Sequence, residues 1–322
     1  MNGLQDVPQV AAVILNWNNA PDTLVCLASV FALDYPNLRV VVVDNGSTDA
    51  SRELIAARFP DAMLLALGEN RGYAAGNNAG LAWALAQGVD YVLVLNNDTR
   101  LAPDMLAELV RFAEAHPQAG MVGPTMYCMP DEQTVYAAGS FVDWAKGRTW
   151  NRGMYQPAQV LAGLRQPEQV DFITGCGVLV RRAVLERAGL LDARYFLNYE
   201  DVEWAVRARR HGFEVWYVPS AVMWHRDSAT FVQGSPAHIY YLTRNGLLFF
   251  RQNSPAALRW WALARFLLTT LRTTGAWTFK PAYQTDLFRR RRRANLLALR
   301  DFALGRFDQM GPDVAAICYP TR

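Results

Sequence analysis

The sequence has no cysteine framework. Cys26, Cys128, Cys176 and Cys318 are scattered, with neither a C-x-x-C pair nor the Cys/His spacing that holds zinc. That argues against a disulfide scaffold or a zinc module and leaves a reduced, cytosolic protein as the simplest reading. The start, "MNGLQDVPQV", lacks the basic stretch and following apolar stretch of a secretory signal. Also missing is any uninterrupted run of roughly 20 apolar residues, the length a spanning helix needs. The best candidate, "RWWALARFLLTTLRTTGAW" at 259–277, is broken by Arg265 and Arg272. No RRM, OB or zinc pattern is visible, so no nucleic acid is expected as a partner.

What is present is a chain of 322 residues, 52% hydrophobic and 19% charged, ample for one large core or a core plus an appended piece. Its net charge of +3 conceals an asymmetry. Residues 1–250 carry 19 Lys+Arg against 25 Asp+Glu, whereas residues 251–306 carry 12 against 2. The expectation is a globular domain over 1–250 and a helical, basic extension over 251–322.

The first 125 residues alternate β-rich runs with helical patterns, which predicts an α/β fold with a mostly parallel sheet and crossover helices. "VAAVILN" (10–16), "LRVVVVD" (38–44), "AMLLAL" (62–67) and "DYVLVLN" (90–96) read as strands, the last apolar on both faces and therefore central. Helices are predicted over 21–33, after a cap at Ser47, Thr48 or Asp49, over 72–88 and over 103–115. "AGMVGP" completes this half. Residues 126–170 read as hairpins with a mobile loop near 153–168, and residues 170–189 as strand then helix. Residues 195–212 read as a loop entering a helix closed by Gly212. "FEVWYVP" and "AVMWHRDS" read as two short strands, and helices follow from Ala237.

Polar residues gather where strands end: Asn16, Asp44, Asn70–Arg71–Gly72 and Asn96–Asn97–Asp98. In open α/β sheets ligands bind outside the carboxyl ends of strands. "GYAAGNNAG" at 72–80 lacks the Gly-Lys-Ser/Thr of a Walker A loop and is not G-x-G-x-x-G. Its glycines at 72 and 76 would either let backbone amides approach phosphates or serve as a turn. Asp44 would either accept a hydrogen bond from a base imide or order the "DNGSTD" turn. "YVLVLNNDTR" is short of acid: only Asp98 is charged where a metal site would show two carboxylates.

Seven pieces occur in order: "VILNWN" (13–18), "VVVDNGSTD" (41–49), "ENRGYAAGNN" (69–78), "LVLNNDT" (93–99), "TGCGVLVRR" (174–182), "NYEDVEW" (198–204) and "WH" (224–225). As a set, spanning roughly 8–250, they resemble the inverting glycosyltransferases of family 2, in the rhamnosyltransferase-like branch that builds surface polysaccharides. The resemblance implies the GT-A fold, with a nucleotide-binding half over about 8–125 and an acceptor half over about 126–250. It implies that Asp44 reads the pyrimidine, with Asn16, Trp17 and Asn45 beside it. Asn70, Arg71, Gly72 and Asn77 would line the nucleotide and diphosphate. Asn96–Asn97–Asp98 stands at the D-x-D position, where Asp98 touches a divalent metal, Mg²⁺ or Mn²⁺, and Asn96 offers only a neutral amide. His225 either joins the metal shell or is a satisfied core residue. Glu200–Asp201 matches the acidic pair at a helix head, Asp201 as base and Glu200 orienting the acceptor, or the reverse.

Such hard cations prefer oxygen ligands and share diphosphate oxygens with the leaving group. Inversion needs a base on the opposite face to take the acceptor hydroxyl's proton. Gly175 and Gly177 would leave room for a sugar; Cys176 is read as a small buried residue. The implied partners are a nucleotide-diphosphate sugar, dTDP-rhamnose before UDP-hexose or UDP-galactofuranose, and a glycan or lipid-linked acceptor. "FRRRRRANLLALRDF" at 288–302 predicts, together with Trp260, Trp261, Phe266 and Trp277, an anionic membrane surface as a further partner of 259–306. The protein would then sit peripherally on the inner face of the cell membrane. Two other readings remain. One is a non-catalytic sugar-nucleotide or glycan-binding protein. The other is a sugar-1-phosphate nucleotidyltransferase, whose G-x-G-T/S-R-x-x-P loop "LNWNNAPDTL" does not supply.

Overall fold

The computed structural model describes residues 7–226 and 234–320. The first six residues and Asp227–Ser228, the expected end of one strand, lie outside them. The chain divides into two compact units. One takes Met1–Phe141, Trp150–Leu191 and Trp204–Asp227; the other takes Val142–Thr149, Asp192–Glu203 and Ser228–Arg322.

The first unit opens with β1 (Val10–Asn16), α1 (Ala20–Phe31), β2 (Leu38–Asp44), α2 (Ser51–Arg58), β3 (Met63–Ala66) and α3 (Gly72–Ala86). β4 (Tyr91–Asn96), β5 (Thr99–Leu101), α4 (Met105–Ala115), β6 (Ala119–Cys128) and β7 (Val135–Ala137) follow. A separate hairpin, β8 (Ser140–Asp143) with β9 (Arg148–Asn151), precedes β10 (Glu168–Gln169), β11 (Gly177–Arg181) and α5 (Arg182–Arg187). α6 (Glu200–Arg210) leads to β12 (Glu214–His225).

Ten of these strands form one mixed sheet, in the order β10-β12-β6-β11-β4-β1-β2-β3, with β5 added to β12 and β7 to β6. β1, β2, β3 and β4 are mutually parallel, as alternating strands and helices require. β11 is antiparallel to both β4 and β6. β4 lies between β1 and β11 with its apolar residues buried, which explains why neither of its faces carries a polar alternation. α3 sits close on β1 because it has no Cβ where the two meet. A methyl at Gly76 would come within 2.7 Å of Leu15 Cδ1, and Gly80 rests directly on Val13 and Val43.

Three expectations change. The two short strands near the end of this unit are one strand, β12, whose pairing with β6 is interrupted between Val218 and Val222. Pro219 has no N–H to give the ladder, so the strand bulges there rather than ending. The strand at "AGMVGP" continues to Cys128, because Thr125 onward pairs with the far side of that bulge. The segment near 153–168 is tied down by backbone hydrogen bonds of Tyr155 and Gln156 with Val135, and of Ala158 with Gln133.

The second unit takes the middle of the β8–β9 hairpin and the head of α6 and is otherwise helical: α7 (Pro236–Asn253), α8 (Arg259–Phe279), α9 (Asp286–Ala303) and α10 (Pro312–Cys318). Ser235 caps α7, its hydroxyl accepting from the His238 N–H at 3.2 Å. Tyr240 and Tyr241 of α7 share a core with Ala294 and Ala298 of α9 and Val314 of α10. Among the described residues no helix is long and apolar enough to cross a membrane.

Candidate active site

The register sets the site's first layer. Asn16 pairs with Asp44 and Leu15 with Asn96, so the last residues of β1, β2 and β4 stand in a row at the carboxyl edge of the sheet. Asn16 and Asp44 are fully buried there. Asn16 Nδ2 donates to Asp44 Oδ1 (3.0 Å) and to Ser47 Oγ (3.1 Å), while the Ser47 N–H donates to Asp44 Oδ2 (3.1 Å). The carboxylate therefore organises the loop after β2 first, and each oxygen keeps one further lone pair. Trp17 stands exposed next to Asn16.

Asn45 and Asn70 interlock the next two loops. Asn45 Nδ2 donates to Asn70 Oδ1 (3.1 Å) and to the Gly72 carbonyl (3.1 Å). The Arg71 N–H donates to Asn45 Oδ1 (3.0 Å) and the Gly72 N–H to Asn70 Oδ1 (2.8 Å). Two amides at the start of α3 are thus satisfied by asparagine side chains. Gly72, at φ +78°, acts as the turn into the helix. Gly46, at φ +74°, lies against the backbone of Glu69 and Asn70, where any Cβ would collide. Asn77 is fully buried, its Nδ2 donating to the Tyr73 carbonyl and its Oδ1 without a hydrogen-bond partner.

"NND" meets a distant histidine. β5 turns back from Asp98 and pairs antiparallel with the end of β12, placing His225 opposite Thr99. Asp98 Oδ1 lies 3.2 Å from His225 Nε2, both residues nearly buried. Asn96 Nδ2 is 3.4 Å from the same nitrogen and 3.5 Å from Cys176 Sγ. Asp98 Oδ1, Asn96 Oδ1 and His225 Nδ1 have no hydrogen-bond partner. Burial pushes the His225 imidazole down, but Cys176 and Asp98 outweigh it and hold it well above its ordinary value. Asn97 turns away: its Nδ2 donates to Thr23 Oγ1 (2.8 Å), which in turn donates to Asn16 Oδ1 (2.7 Å).

The head of α6 belongs to the second unit. Glu200 is buried and its Oε2 has no partner, whereas Asp201 is half-buried, with Oδ1 accepting from the Val202 N–H (2.7 Å). Burial, then the neighbouring Asp201, pushes the Glu200 carboxyl well above the usual range. The preceding residues are strained: Phe196, Asn198 and Tyr199 all have positive φ, on the order of 1–3 kcal/mol apiece.

Residues 11–189, more than half the chain, match the family model described as glycosyl transferase family 2. The chain belongs to this family. Among curated relatives, the N-acetylglucosaminyl-diphospho-decaprenol L-rhamnosyltransferase of Mycobacterium tuberculosis is 28% identical over 90% of this chain and 97% of its own. The dTDP-rhamnosyl transferase RfbF of Shigella flexneri is 26% identical over 76% and 80%. Among solved structures, the mannosyltransferase PcManGT from Pyrobaculum calidifontis, in complex with GDP-Man and Mn²⁺, superposes with a TM-score of 0.57 over 94% of this chain and 88% of its own, at 22% identity. The protein is a family 2 glycosyltransferase with the GT-A fold, similar to these two rhamnosyltransferases.

In this family 2 glycosyltransferase the donor set fits a cation held partly by protein. Among the described residues no group of three His, Cys, Asp or Glu is placed to hold a metal ion. Asp98 Oδ1, whose close neighbour is His225 Nε2, offers one carboxylate beside one imidazole, which suits a metal completed by diphosphate oxygens and water. Ser47 and Thr23, which orient Asn16, carry no signal in the sequence, since small hydroxyl residues are common in loops and helices alike. Gly175 and Gly177 are packing devices here: the Tyr73 hydroxyl donates to the Gly175 carbonyl (2.6 Å), and Gly177 lies on Met223.

Proposed function

We propose that the protein transfers a sugar from a nucleotide diphosphate, dTDP-rhamnose first and UDP-hexose or UDP-galactofuranose next, to a hydroxyl of a glycan or lipid-linked acceptor, with inversion. The observation that carries the mechanism is the unlike setting of two adjacent carboxylates: Glu200 is buried and its carboxyl pushed well above the usual range, whereas Asp201 is only half-buried. Asp201 takes the acceptor hydroxyl's proton as its oxygen bonds to the anomeric carbon. The bond from that carbon to the diphosphate breaks, and the electron pair leaves with the phosphate oxygen. Glu200, as a neutral acid, donates a hydrogen bond that orients the acceptor.

Asp98 and His225 would hold Mg²⁺ or Mn²⁺, which when bound neutralises the charge developing on the diphosphate. Asp44, Asn16 and Trp17 take the base and ribose side, with Asn45, Asn70, Arg71, Gly72 and Asn77 shaping the wall and Asn96 its floor, while Asn97, expected there too, supports Asn16 through Thr23. The activities of the two rhamnosyltransferase relatives support this donor, and the decaprenol-linked one supports a lipid-linked acceptor.

Such an acceptor brings the protein to an anionic membrane surface. α8 supports this more directly than the arginine run. Trp260, Ala264, Leu267, Leu268, Leu271 and Phe279 recur on one face and are exposed, Trp260 by 72% and Phe279 by 83%. Arg265 and Arg272 border that face, and α8 contains no acid. Phe266 and Trp277, expected there, pack inward against Phe250 and Phe288. Arg290 pairs with Asp286 (2.9 Å), and Arg291 donates to the Gly234 carbonyl.

The deciding experiment is turnover with a panel of nucleotide sugars, paired with thermal shift by dTDP or UDP with and without Mn²⁺. Metal-dependent stabilisation with turnover supports the reading. Stabilisation without metal dependence and without turnover favours a sugar-nucleotide-binding protein instead.

A further inference from the structure

The strained turn before Glu200–Asp201 needs something to hold it, and one buried side chain does. Asn245 of α7, fully buried, donates from Nδ2 to the carbonyls of Tyr195 (2.5 Å), Leu197 (2.7 Å) and Asn198 (3.0 Å). Those carbonyls belong to the segment where Phe196, Asn198 and Tyr199 adopt positive φ. Turned the other way, the amide would set its oxygen against three carbonyl oxygens. Its orientation is locked by Arg244, whose Nε donates to Asn245 Oδ1 (3.0 Å).

Arg244 is itself fully buried, with no carboxylate within ion-pair distance among the described residues. Its guanidinium lies over the rings of Tyr240 (5.2 Å) and Tyr241 (5.1 Å). Its Nη1 reaches the Tyr240 hydroxyl (3.4 Å), which donates to the buried Asp301 Oδ2 (2.8 Å). A buried charge and two tyrosines thus stand behind one amide that holds three carbonyls of the 195–199 turn, a large polar investment for an ordinary loop. Glu200 and Asp201 follow that turn directly, so the backbone angles at Asn198 and Tyr199 set where both carboxyls start. Displacing a reacting group by about 1 Å is enough to cost on the order of 100-fold in rate.

We infer that Asn245, oriented by Arg244, is a positioning residue that clamps the strained 195–199 turn and so aims Glu200–Asp201. The inference rests on the assignment of that pair to the reaction, and its test separates the two. Asn245→Ala and Asn245→Gln, the second keeping polarity but moving the amide by one methylene, are compared with Thr243→Val. The last removes a buried hydrogen bond to Asn295 from the same helix without touching the turn.

Hydrogen exchange of the peptide around 195–201 should speed up about 10-fold or more in both Asn245 variants and stay unchanged in Thr243→Val. kcat should fall roughly 10- to 100-fold in the Asn245 variants, with the donor KM within about 2-fold. Unchanged exchange overturns the clamp. Faster exchange with unchanged kcat, or a kcat loss matched by Thr243→Val, overturns positioning. Asp201→Asn, assayed alongside, reports on the base assignment alone, because the exchange readout does not depend on turnover.

Discussion

Asp98 Oδ1 stands 3.2 Å from His225 Nε2 because β5 folds back from the "NND" turn onto the last three residues of β12. That contact answers the shortage of acid in the D-x-D position. Asn96 cannot replace a carboxylate as a charged ligand, but in the proposed site His225 would bring a second ligand from β12.

Asp98→Ala should therefore lower turnover by roughly 100-fold or more and abolish the Mn²⁺-dependent thermal shift with nucleotide. Titrating Mn²⁺ against rate for both proteins checks this. A variant with unchanged metal dependence would return the stretch to being a turn.

Asp201→Asn removes the half-buried carboxylate of the pair, the proposed base. kcat should fall by about 10²- to 10⁴-fold while nucleotide-sugar binding persists, measured by calorimetry and single-turnover assays. Normal turnover in this variant would remove Asp201 as the base.

Glu200 makes a prediction about stability. Burial, then the neighbouring Asp201, pushes its carboxyl well above the usual range in the folded protein, and it ionises near pH 4.3 once unfolded. Between those two values the folded state binds the extra proton, so this group's contribution falls as pH rises through that window. Glu200→Gln deletes that loss. Melting curves from pH 4.5 to 8 should show a flatter profile and a higher midpoint at pH 7–8, by about 2–4 °C per kcal/mol relieved. Parallel profiles for the two proteins would contradict the burial of an ionisable Glu200.

The α8 face predicts salt-sensitive binding to vesicles containing anionic lipid, with little binding to neutral ones. Leu268→Glu with Leu271→Glu should cut binding by 10-fold or more, whereas Arg290→Gln, whose side chain is engaged by Asp286, should change it by less than about 3-fold. Equal binding to neutral and anionic vesicles would sink the electrostatic part.

The strands and helices of the first 125 residues were legible because local rules suffice there. "VAAVILN" and "LRVVVVD" are runs too apolar to be anything but buried strands, and their ends carry Asn16 and Asp44 as the last residues before water. Asn45 and Asn70 were legible as polar loop residues, though not as mutual partners. What helix α8 exposes was legible only in part: the tryptophans at 260 and 261 face out, yet Phe266 and Trp277 face in, because α8 docks on α7 where Gly246 leaves room for the Phe266 ring.

By itself the sequence determined the strand-and-helix alternation, the polar strand ends and the family, since these depend on residue type and order over short spans. Tertiary structure alone decided which oxygens are left unpaired, that Asp98 meets His225, and that Glu200 is buried while Asp201 is not. It also decided that Asn245, unremarked in a helical run, holds the turn that precedes them. Each of these depends on pairings between segments far apart in the chain, and register and burial are properties of the pairing, not of either segment.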